Sequence, residues 1–318
     1  MPERFSPIKL LDYLFVLRPM LFYPGWSTLL AGYFIADKKQ LFFGAQQIAG
    51  AGHAAILLLF LIFALAMGGS FLLNQLRDVE SDRKNNKLFI ISEGHISLRA
   101  AWIEALLLIV VSTVLAFGVS FRLGVLIAAF NLLTGYLYNF APFRMKDYPW
   151  RSLLANALMG WLAFALGWSY RQQLDWKVVW DALPYVFLNT ALYFYTTLPD
   201  IGGDQAAQKQ TLSVKYSLRA ILTIAFVLFV LAVVFAVGLG DYTALGILAL
   251  SAPFFITTIV RKTIQNAVRT TKYTILIFAL IVCLKWPYYF LLMVAGFYFT
   301  KWYYRKRFDF DYPNFSGN

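Results

Sequence analysis

Residues 54–82 of the chain read AAILLLFLIFALAMGGSFLLNQLRDVESD. The part from Ala54 to Leu73 contains only apolar or small residues. It is long enough to cross a bilayer as a helix, which takes about 20 such residues. Asn74, Asp78 and Asp82 follow at spacings of four, so a helix that continues through them carries their oxygens on one ridge. The stretch therefore predicts a membrane-spanning helix that ends in acidic side chains.

The whole chain has the composition of a membrane protein. Its 318 residues are 60 % hydrophobic and only 14 % charged, with a mean hydropathy of +0.63, whereas soluble domains are about a quarter charged. We expect an all-α fold, a polytopic bundle of about nine transmembrane helices around a central cavity, in one integral-membrane domain covering 1–318. Pro287 is expected to kink the ninth span. The predicted spans are 12–36, 54–77, 100–119, 121–140, 151–170, 179–199, 216–238, 241–260 and 273–300.

The net charge of +12 indicates orientation in a membrane rather than binding to nucleic acid. With nine spans, seventeen lysines and arginines fall on the side of the N-terminus and nine on the other. The positive-inside rule then puts the N-terminus and the acidic ridge in the cytoplasm, in a multi-pass protein of the inner membrane. The basic C-terminal tail conflicts with an odd number of spans, so eight or ten spans stay open.

A second acidic motif, Asp200-Ile-Gly-Gly-Asp204, follows the sixth predicted span on the same side. Carboxylates crowded in this way repel one another unless cations lie between them. Oxygen ligands suit Mg²⁺, which combines a few carboxylates with the phosphates of a substrate. The two motifs, with lysines and arginines nearby, favour a membrane enzyme that acts on a diphosphate. The alternative for the first motif alone is a solvated loop with weak salt bridges.

Polar side chains at helical spacing continue from the acidic face into the spans. They favour a cavity that opens at that face, although hydrogen bonds between membrane helices are a common alternative role for each of them. Arg18 is expected inside the first span, where an arginine either reaches to the interface or faces an anionic ligand. The polar positions in the spans are Asn131, Thr134 and Tyr138 in the fourth, Asn156 in the fifth, and Asn189, Tyr193 and Thr197 in the sixth.

Together these residues resemble the UbiA superfamily of intramembrane prenyltransferases, over nearly the whole chain. Three positions depart from the family pattern: Phe89-Ile90 replaces an Arg-Pro, Gln208 a glycine and Ser213 a proline. The absent arginine affects loop contacts to the substrate. The resemblance rests on Arg18-Pro19, on Asn74, Asp78, Asp82, Asn85 and Gly94 in the first motif, on Tyr138, Pro142 and Lys146, and on Asp200, Gly203, Asp204, Lys209, Thr211 and Leu212 in the second motif.

The resemblance implies transfer of a prenyl group from a prenyl diphosphate to an acceptor within the membrane. Mg²⁺ would be held by Asn74, Asp78, Asp82, Asp200 and Asp204. The diphosphate would be gripped by Arg18, Arg77, Lys146 and Lys209. The implied catalytic positions are Asp78, Asp82, Asp200, Asp204, Lys146 and Tyr138, and the remaining pocket positions are Asn131, Asn156, Asn189 and Tyr193.

The acceptor stays open among aromatic quinone precursors, tetrapyrroles, phosphosugars, glycerol phosphates and carotenoids. The sequence predicts neither the prenyl chain length nor the oligomeric state. Two other classes of protein remain as alternatives. A transporter would place its acids near mid-span and build its site from broken helices in inverted repeats. A binding protein with a decayed site would not need Asp78 or Asp204.

Overall fold

The computed structural model describes residues 7–37, 50–84, 89–206 and 210–313. Within these ranges the chain contains ten long helices and no β-strand. A π-helical turn, Leu132–Leu137, extends the fourth of them. The ten are α1 (Phe22–Ile35), α2 (Gly50–Lys84), α3 (Leu98–Val119), α4 (Phe121–Asn131), α5 (Pro149–Arg171), α6 (Trp176–Thr196), α7 (Leu218–Leu239), α8 (Tyr242–Arg261), α9 (Ile264–Lys285) and α10 (Tyr288–Phe308).

Shorter helices lie mainly at the end of the bundle that carries the acidic motifs, which we call the acidic end. The short α-helices are Asp12–Phe15, Phe89–Ser92, Ile201–Ala206 and Leu212–Lys215. The 3-10 helices are Pro7–Leu11, Pro19–Leu21, Met145–Asp147 and Leu198–Asp200.

The helices have the length and composition of a multi-pass membrane protein. Six of those in the described residues are long and apolar enough to cross a bilayer: Gly52–Glu80, Leu98–Val119, Pro149–Arg171, Leu218–Leu239, Tyr242–Arg261 and Ile264–Lys285. The prediction of an all-α polytopic bundle is confirmed. The expected total of about nine spans agrees roughly with the ten long helices of the described ranges.

The ninth predicted span, 273–300, is two helices rather than one kinked helix. α9 ends at Lys285 and α10 begins at Tyr288, with Trp286 and Pro287 between them. Proline lacks the backbone N–H that an uninterrupted helix would need here, and its ring would clash with a carbonyl of the preceding helical turn. The indole of Trp286 donates a 2.9 Å hydrogen bond to His53 Nδ1 near the start of α2. The break therefore lies at the end of the bundle opposite the acidic motifs.

With α10 the chain returns to the end at which it began. The hydroxyl of Tyr303 donates to Asp12 Oδ1 at 2.6 Å, and Arg307 donates to both carboxylate oxygens of Asp12 at 3.1 and 3.0 Å. Asp12 is buried, and charge-assisted bonds of this kind are the stronger ones. The contact puts Asp12 and the basic end of α10 at the acidic end, so the lysines and arginines of 301–307 no longer conflict with the basic residues of the other loops.

Short, capped connections join several of the helices. One residue, Ser120, separates α3 from α4, and two residues separate α7 from α8 and α8 from α9. The Ser120 side chain accepts a 3.2 Å hydrogen bond from the Leu123 amide, and Asp241 accepts one of 2.9 Å from the Ala244 amide. Each cap satisfies a backbone donor that a helix start leaves free. The adjoining helices therefore pack as antiparallel neighbours.

Glycines set the distance between α1 and α5. A methyl group on Gly167 would collide with the Leu29 carbonyl oxygen and the Tyr33 amide, and one on Gly32 would collide with the Phe164 carbonyl oxygen. Small residues allow the backbones of membrane helices to approach closely. This contact holds α1 against α5, and both helices line the central cavity.

We expect Gly167→Ala to destabilise the protein by about 1–3 kcal/mol, because the new methyl group meets backbone atoms that cannot rotate away. The measurement is thermal unfolding in detergent. Gly238→Ala is the matched control, since a methyl group on Gly238 of α7 meets no atom within 4 Å. Equal unfolding temperatures for the two variants would contradict the packing described here.

Candidate functional site

A cavity of about 410 Å³ lies among α1, α2, α4, α5, α6 and α9. Toward the acidic end its wall includes Arg18, Asn74, Tyr138 and Tyr193. Farther into the bundle the wall is largely apolar, and contains Phe63, Met67, Phe130, Met159, Leu192 and Ile275. The cavity thus offers a charged entrance and a hydrocarbon interior.

Lys146 joins the first acidic motif to the loop between α4 and α5. Its Nζ donates hydrogen bonds of 3.0 Å to Asn74 Oδ1 and 2.8 Å to Asp78 Oδ2. The helical spacing predicted for Asn74 and Asp78 accounts for this, because residues four apart share one face of α2. Only 9 % of the Lys146 side chain and 17 % of that of Asp78 is exposed. An ammonium group therefore occupies the position between the two oxygen ligands.

Arg18 lies before α1 rather than inside the predicted first span, within electrostatic reach of both acidic motifs. Its backbone is left-handed, with φ 59° and ψ 57°, which is unusual for a residue other than glycine. Burial lowers the pKa of its guanidinium; Tyr312 and the carboxylates of Asp82 and Asp200 oppose that shift. An arginine keeps its charge in such surroundings. Arg18 is therefore a fixed cation close to one carboxylate of each motif.

In the second motif, Asp204 accepts a 2.9 Å hydrogen bond from the Thr211 hydroxyl. Thr211 is also 3.3 Å from the Ser213 hydroxyl oxygen. Asp204 belongs to the short helix Ile201–Ala206, and Thr211 immediately precedes the next one. This bond fixes the carboxylate of Asp204 relative to α7. Lys209, which the resemblance assigns to the diphosphate, lies outside the described residues, as does Asn85.

Two tyrosines lie just inside the charged entrance. The Tyr138 hydroxyl is next to that of Tyr193, with Asp78 and Asp147 in its electrostatic surroundings. Tyr193 is in turn next to the Ser152 hydroxyl at the start of α5. The pair forms a polar layer between the carboxylates and the apolar interior.

Six of the predicted site positions line this cavity, among them Arg18 and Asn74 at its entrance. Asn156 and Asn189 line it, together with Tyr138 and Tyr193. Arg77 is exposed and is absent from the cavity wall.

Asn131 is not brought to the cavity either. Its Nδ2 donates to Ser112 Oγ at 3.1 Å and to Thr113 Oγ1 at 3.0 Å on α3. It lines a separate groove between α3 and α4. The reason is the π-helical turn that follows it: the Tyr138 amide bonds to the carbonyl of Leu133, five residues back, so Asn131 and Tyr138 no longer share a face.

Three residues near the site were not predicted from the sequence. Gln75, beside the first motif, is buried and donates 2.8 Å to the carbonyl of Val16, which ties α2 to the segment before Arg18. Tyr304 and Tyr312 line a second cavity of about 220 Å³ with Arg18. Position in the sequence could have indicated Gln75, because it follows Asn74 in the motif. The two tyrosines reach Arg18 only through the folding of α10.

The donor set suits a cation that shares its ligands with a substrate. In the ranges that the structure describes, no three histidine, cysteine or acidic side chains converge to form a metal site on their own. Mg²⁺ usually binds through one or two carboxylates with water and substrate phosphates, so it needs no such cage. Asn74 and Asp78 already hold a cationic group, and Asp82, Asp200 and Asp204 are further carboxylates of the two motifs.

These features define a multi-pass α-helical membrane protein whose cavity is charged at one end and apolar inside. The chain belongs to the UbiA prenyltransferase family, whose model matches residues 25–269. It is similar to a UbiA homolog from Archaeoglobus fulgidus, solved with GPP and Mg²⁺, with a TM-score of 0.64 and 22 % identity over 87 % of this chain and 98 % of the other. It is also similar to a digeranylgeranylglyceryl phosphate synthase, with a TM-score of 0.62 and 20 % identity over 87 % and 97 %.

Among curated proteins, the chain is similar to two plant enzymes. A probable homogentisate phytyltransferase 2 from Oryza sativa subsp. japonica is 28 % identical over 50 % of this chain and 45 % of its own length. A 2-acyl-4-prenylphloroglucinol 6-prenyltransferase from Humulus lupulus is 27 % identical over 58 % of this chain and 47 % of its own length. The matches thus span about half of each relative.

Because Lys146 occupies the position between Asn74 and Asp78, it should compete with a metal ion when no substrate is bound. We expect Lys146→Met to tighten binding of Mn²⁺, used as a probe without diphosphate, by about tenfold or more, since a nearby positive charge is removed. Electron paramagnetic resonance of Mn²⁺ measures this. Lys215→Met, at an exposed position of the same end, should leave the affinity unchanged. Weaker Mn²⁺ binding in Lys146→Met would contradict the competition.

Proposed function

We propose that the protein transfers a prenyl group from a prenyl diphosphate to an aromatic acceptor inside the membrane. The contact that carries the proposal is the pair of hydrogen bonds from Lys146 to Asn74 and Asp78 at the mouth of an apolar cavity. An ionic headgroup and a long hydrocarbon tail need these two environments next to each other. Family membership supports the same reaction, and it weighs against the transporter alternative.

In this proposal Asn74, Asp78, Asp82, Asp200 and Asp204 hold Mg²⁺ and, through it, the diphosphate. Mg²⁺, when bound, neutralises the charge that develops on the leaving diphosphate. Lys146 and Arg18 supply further positive charge at the same end, and Lys209 is proposed to join them. Lys146 would turn from its carboxylate toward phosphate oxygens, which bind an ammonium group equally well.

The bond between C1 and the diphosphate oxygen then breaks, and both electrons leave with the diphosphate. Positive charge at C1 is stabilised by the faces of aromatic rings, which Tyr138 and Tyr193 provide below the headgroup. A ring carbon of the acceptor forms the new bond to C1, and the ring proton is released to solvent. An aromatic acceptor fits the printed activities of the plant relatives, homogentisate phytyl transfer and prenylphloroglucinol prenyl transfer.

We propose further that the acidic end faces the cytoplasm in an inner membrane. The excess of lysines and arginines in the loops at this end supports that orientation. The bond between Arg307 and Asp12 adds the basic residues of the C-terminal tail to the same side. The diphosphate would then reach the site from the cytoplasm while its tail stays in lipid.

Asp78→Asn and Asp204→Asn should each lower Mg²⁺-dependent prenyl transfer by at least about a hundredfold, because each removes a charged ligand where the leaving-group charge develops. The assay measures the labelled product in detergent. Glu80→Gln is the matched control: it lies on α2 between Asp78 and Asp82 but is exposed. Full activity in either Asn variant would instead favour a binding protein with a decayed site.

The acceptor is tested by incubating the purified protein with labelled geranylgeranyl diphosphate, Mg²⁺ and a panel of acceptors. The panel contains hydroxylated aromatics, a phosphosugar and a glycerol phosphate. We expect diphosphate release only with an aromatic member. If diphosphate is released only with the glycerol phosphate, the proposal of prenyl transfer stands and the proposal of an aromatic acceptor is wrong.

A further inference from the structure

The cavity contains a buried hydrogen-bond acceptor that no described residue satisfies. Asn156 lies on α5 and lines the cavity, and its Oδ1 is buried without a hydrogen-bond donor among the residues that the structure describes. Leaving a buried carbonyl oxygen without a donor costs roughly 1–3 kcal/mol. Such an atom in a ligand cavity indicates that the ligand supplies a hydrogen-bond donor.

No serine or threonine of the cavity wall donates a hydrogen bond to Asn156. Each of the five serine and threonine hydroxyls that line it donates elsewhere in the protein. The Thr134 hydroxyl donates its proton to the Phe130 carbonyl at 2.7 Å. The Ser70 hydroxyl lies 2.6 Å from that of Thr134 and is therefore the donor between the two. The other three donate to backbone carbonyls: Thr28 to Pro24 at 3.0 Å, Thr196 to Tyr193 at 2.8 Å and Thr271 to Ala267 at 3.0 Å.

The depth of Asn156 separates it from the charged entrance. Ser152, one turn earlier on α5, is next to Tyr193 in the polar layer. Asn156 is four residues farther along, about 6 Å deeper in the bundle. Gly160, one more turn along, faces the Asn189 side chain of α6. Asn156 therefore lies below the layer of carboxylates, at the depth of the first carbons of the tail.

We propose that Asn156 accepts a hydrogen bond from a hydroxyl group of the aromatic acceptor. This inference rests on the proposed function. An ionised prenyl diphosphate has phosphate oxygens and hydrocarbon but no N–H or O–H group, so it cannot satisfy Asn156 Oδ1. Of the two substrates, only the acceptor can supply the donor. A phenolic hydroxyl that donates to Oδ1 also raises the electron density of its ring, which suits attack on the positive charge at C1.

The test is a binding measurement that does not depend on turnover. Hydroquinone and its dimethyl ether are titrated by calorimetry into protein loaded with Mg²⁺ and geranyl thiolodiphosphate, which does not ionise readily. We expect the wild type to prefer hydroquinone. Asn156→Leu should weaken hydroquinone binding by roughly tenfold to a hundredfold and bind the two compounds within about twofold of each other. Asn156→Asp keeps an oxygen acceptor and should retain the preference.

Asn131→Leu is the matched control, because it removes a buried asparagine of the spans that lines a different groove. It should lower stability but leave the preference for hydroquinone intact. A wild type that binds hydroquinone and its ether equally, or Asn156→Leu that keeps the preference, overturns the proposal. The proposal is also overturned if Asn156→Leu weakens only the binding of the thiolodiphosphate, since the amide would then bind the headgroup.

The outcomes also separate this proposal from the proposed function. If the wild type transfers no prenyl group to any acceptor in the panel, the proposed function fails and Asn156 has no acceptor to bind. If it transfers prenyl groups to an acceptor but does not distinguish the hydroxyl from its ether, only the role of Asn156 fails.

Discussion

The hydrogen bonds from Lys146 to Asn74 and Asp78 resolve the main electrostatic difficulty of this fold. A carboxylate at the end of a long apolar helix costs a few kcal/mol unless a cation compensates it. Lys146 provides that cation, and in doing so it holds the loop between α4 and α5 over the end of α2. The position of the loop in turn sets the position of Tyr138 at the mouth of the cavity.

The position of the second charged element, Arg18, depends on the contact between α10 and the segment that precedes Arg18. Its left-handed backbone is a conformation that costs free energy and persists only where the surroundings impose it. The surroundings here are Asp12 bound to Tyr303 and Arg307, and the Phe15 ring stacked on the Tyr303 ring with centroids 3.8 Å apart. α10 therefore supports the arginine that faces both acidic motifs, although it contributes no carboxylate.

The sequence predicts the features of this fold that depend on composition and helical period. The apolar runs predict the bundle, and spacings of four predict that Asn74 and Asp78 share a face. Prediction fails where local geometry changes the period or the direction of the chain. The π-helical turn after Asn131 adds a residue to one turn, and nothing in LLTGYL distinguishes it from an α-helical segment. Trp286-Pro287 ends a helix within the predicted span 273–300, and the sequence could not distinguish this end from a kink, because proline causes both. Arg18 and the tail tyrosines meet only through tertiary contacts.

The polar groups of the cavity are divided into two layers with different chemistry. Charges stand at the entrance, whereas the serines and threonines of the wall donate their protons within the protein. A wall with few free donors holds water poorly, because a trapped water needs two to four polar partners. Water is the nucleophile that would consume a prenyl cation formed below the entrance. The unsatisfied oxygen of Asn156 in this wall is the proposed contact for the hydroxylated acceptor, so the wall that protects the cation would also select what reacts with it.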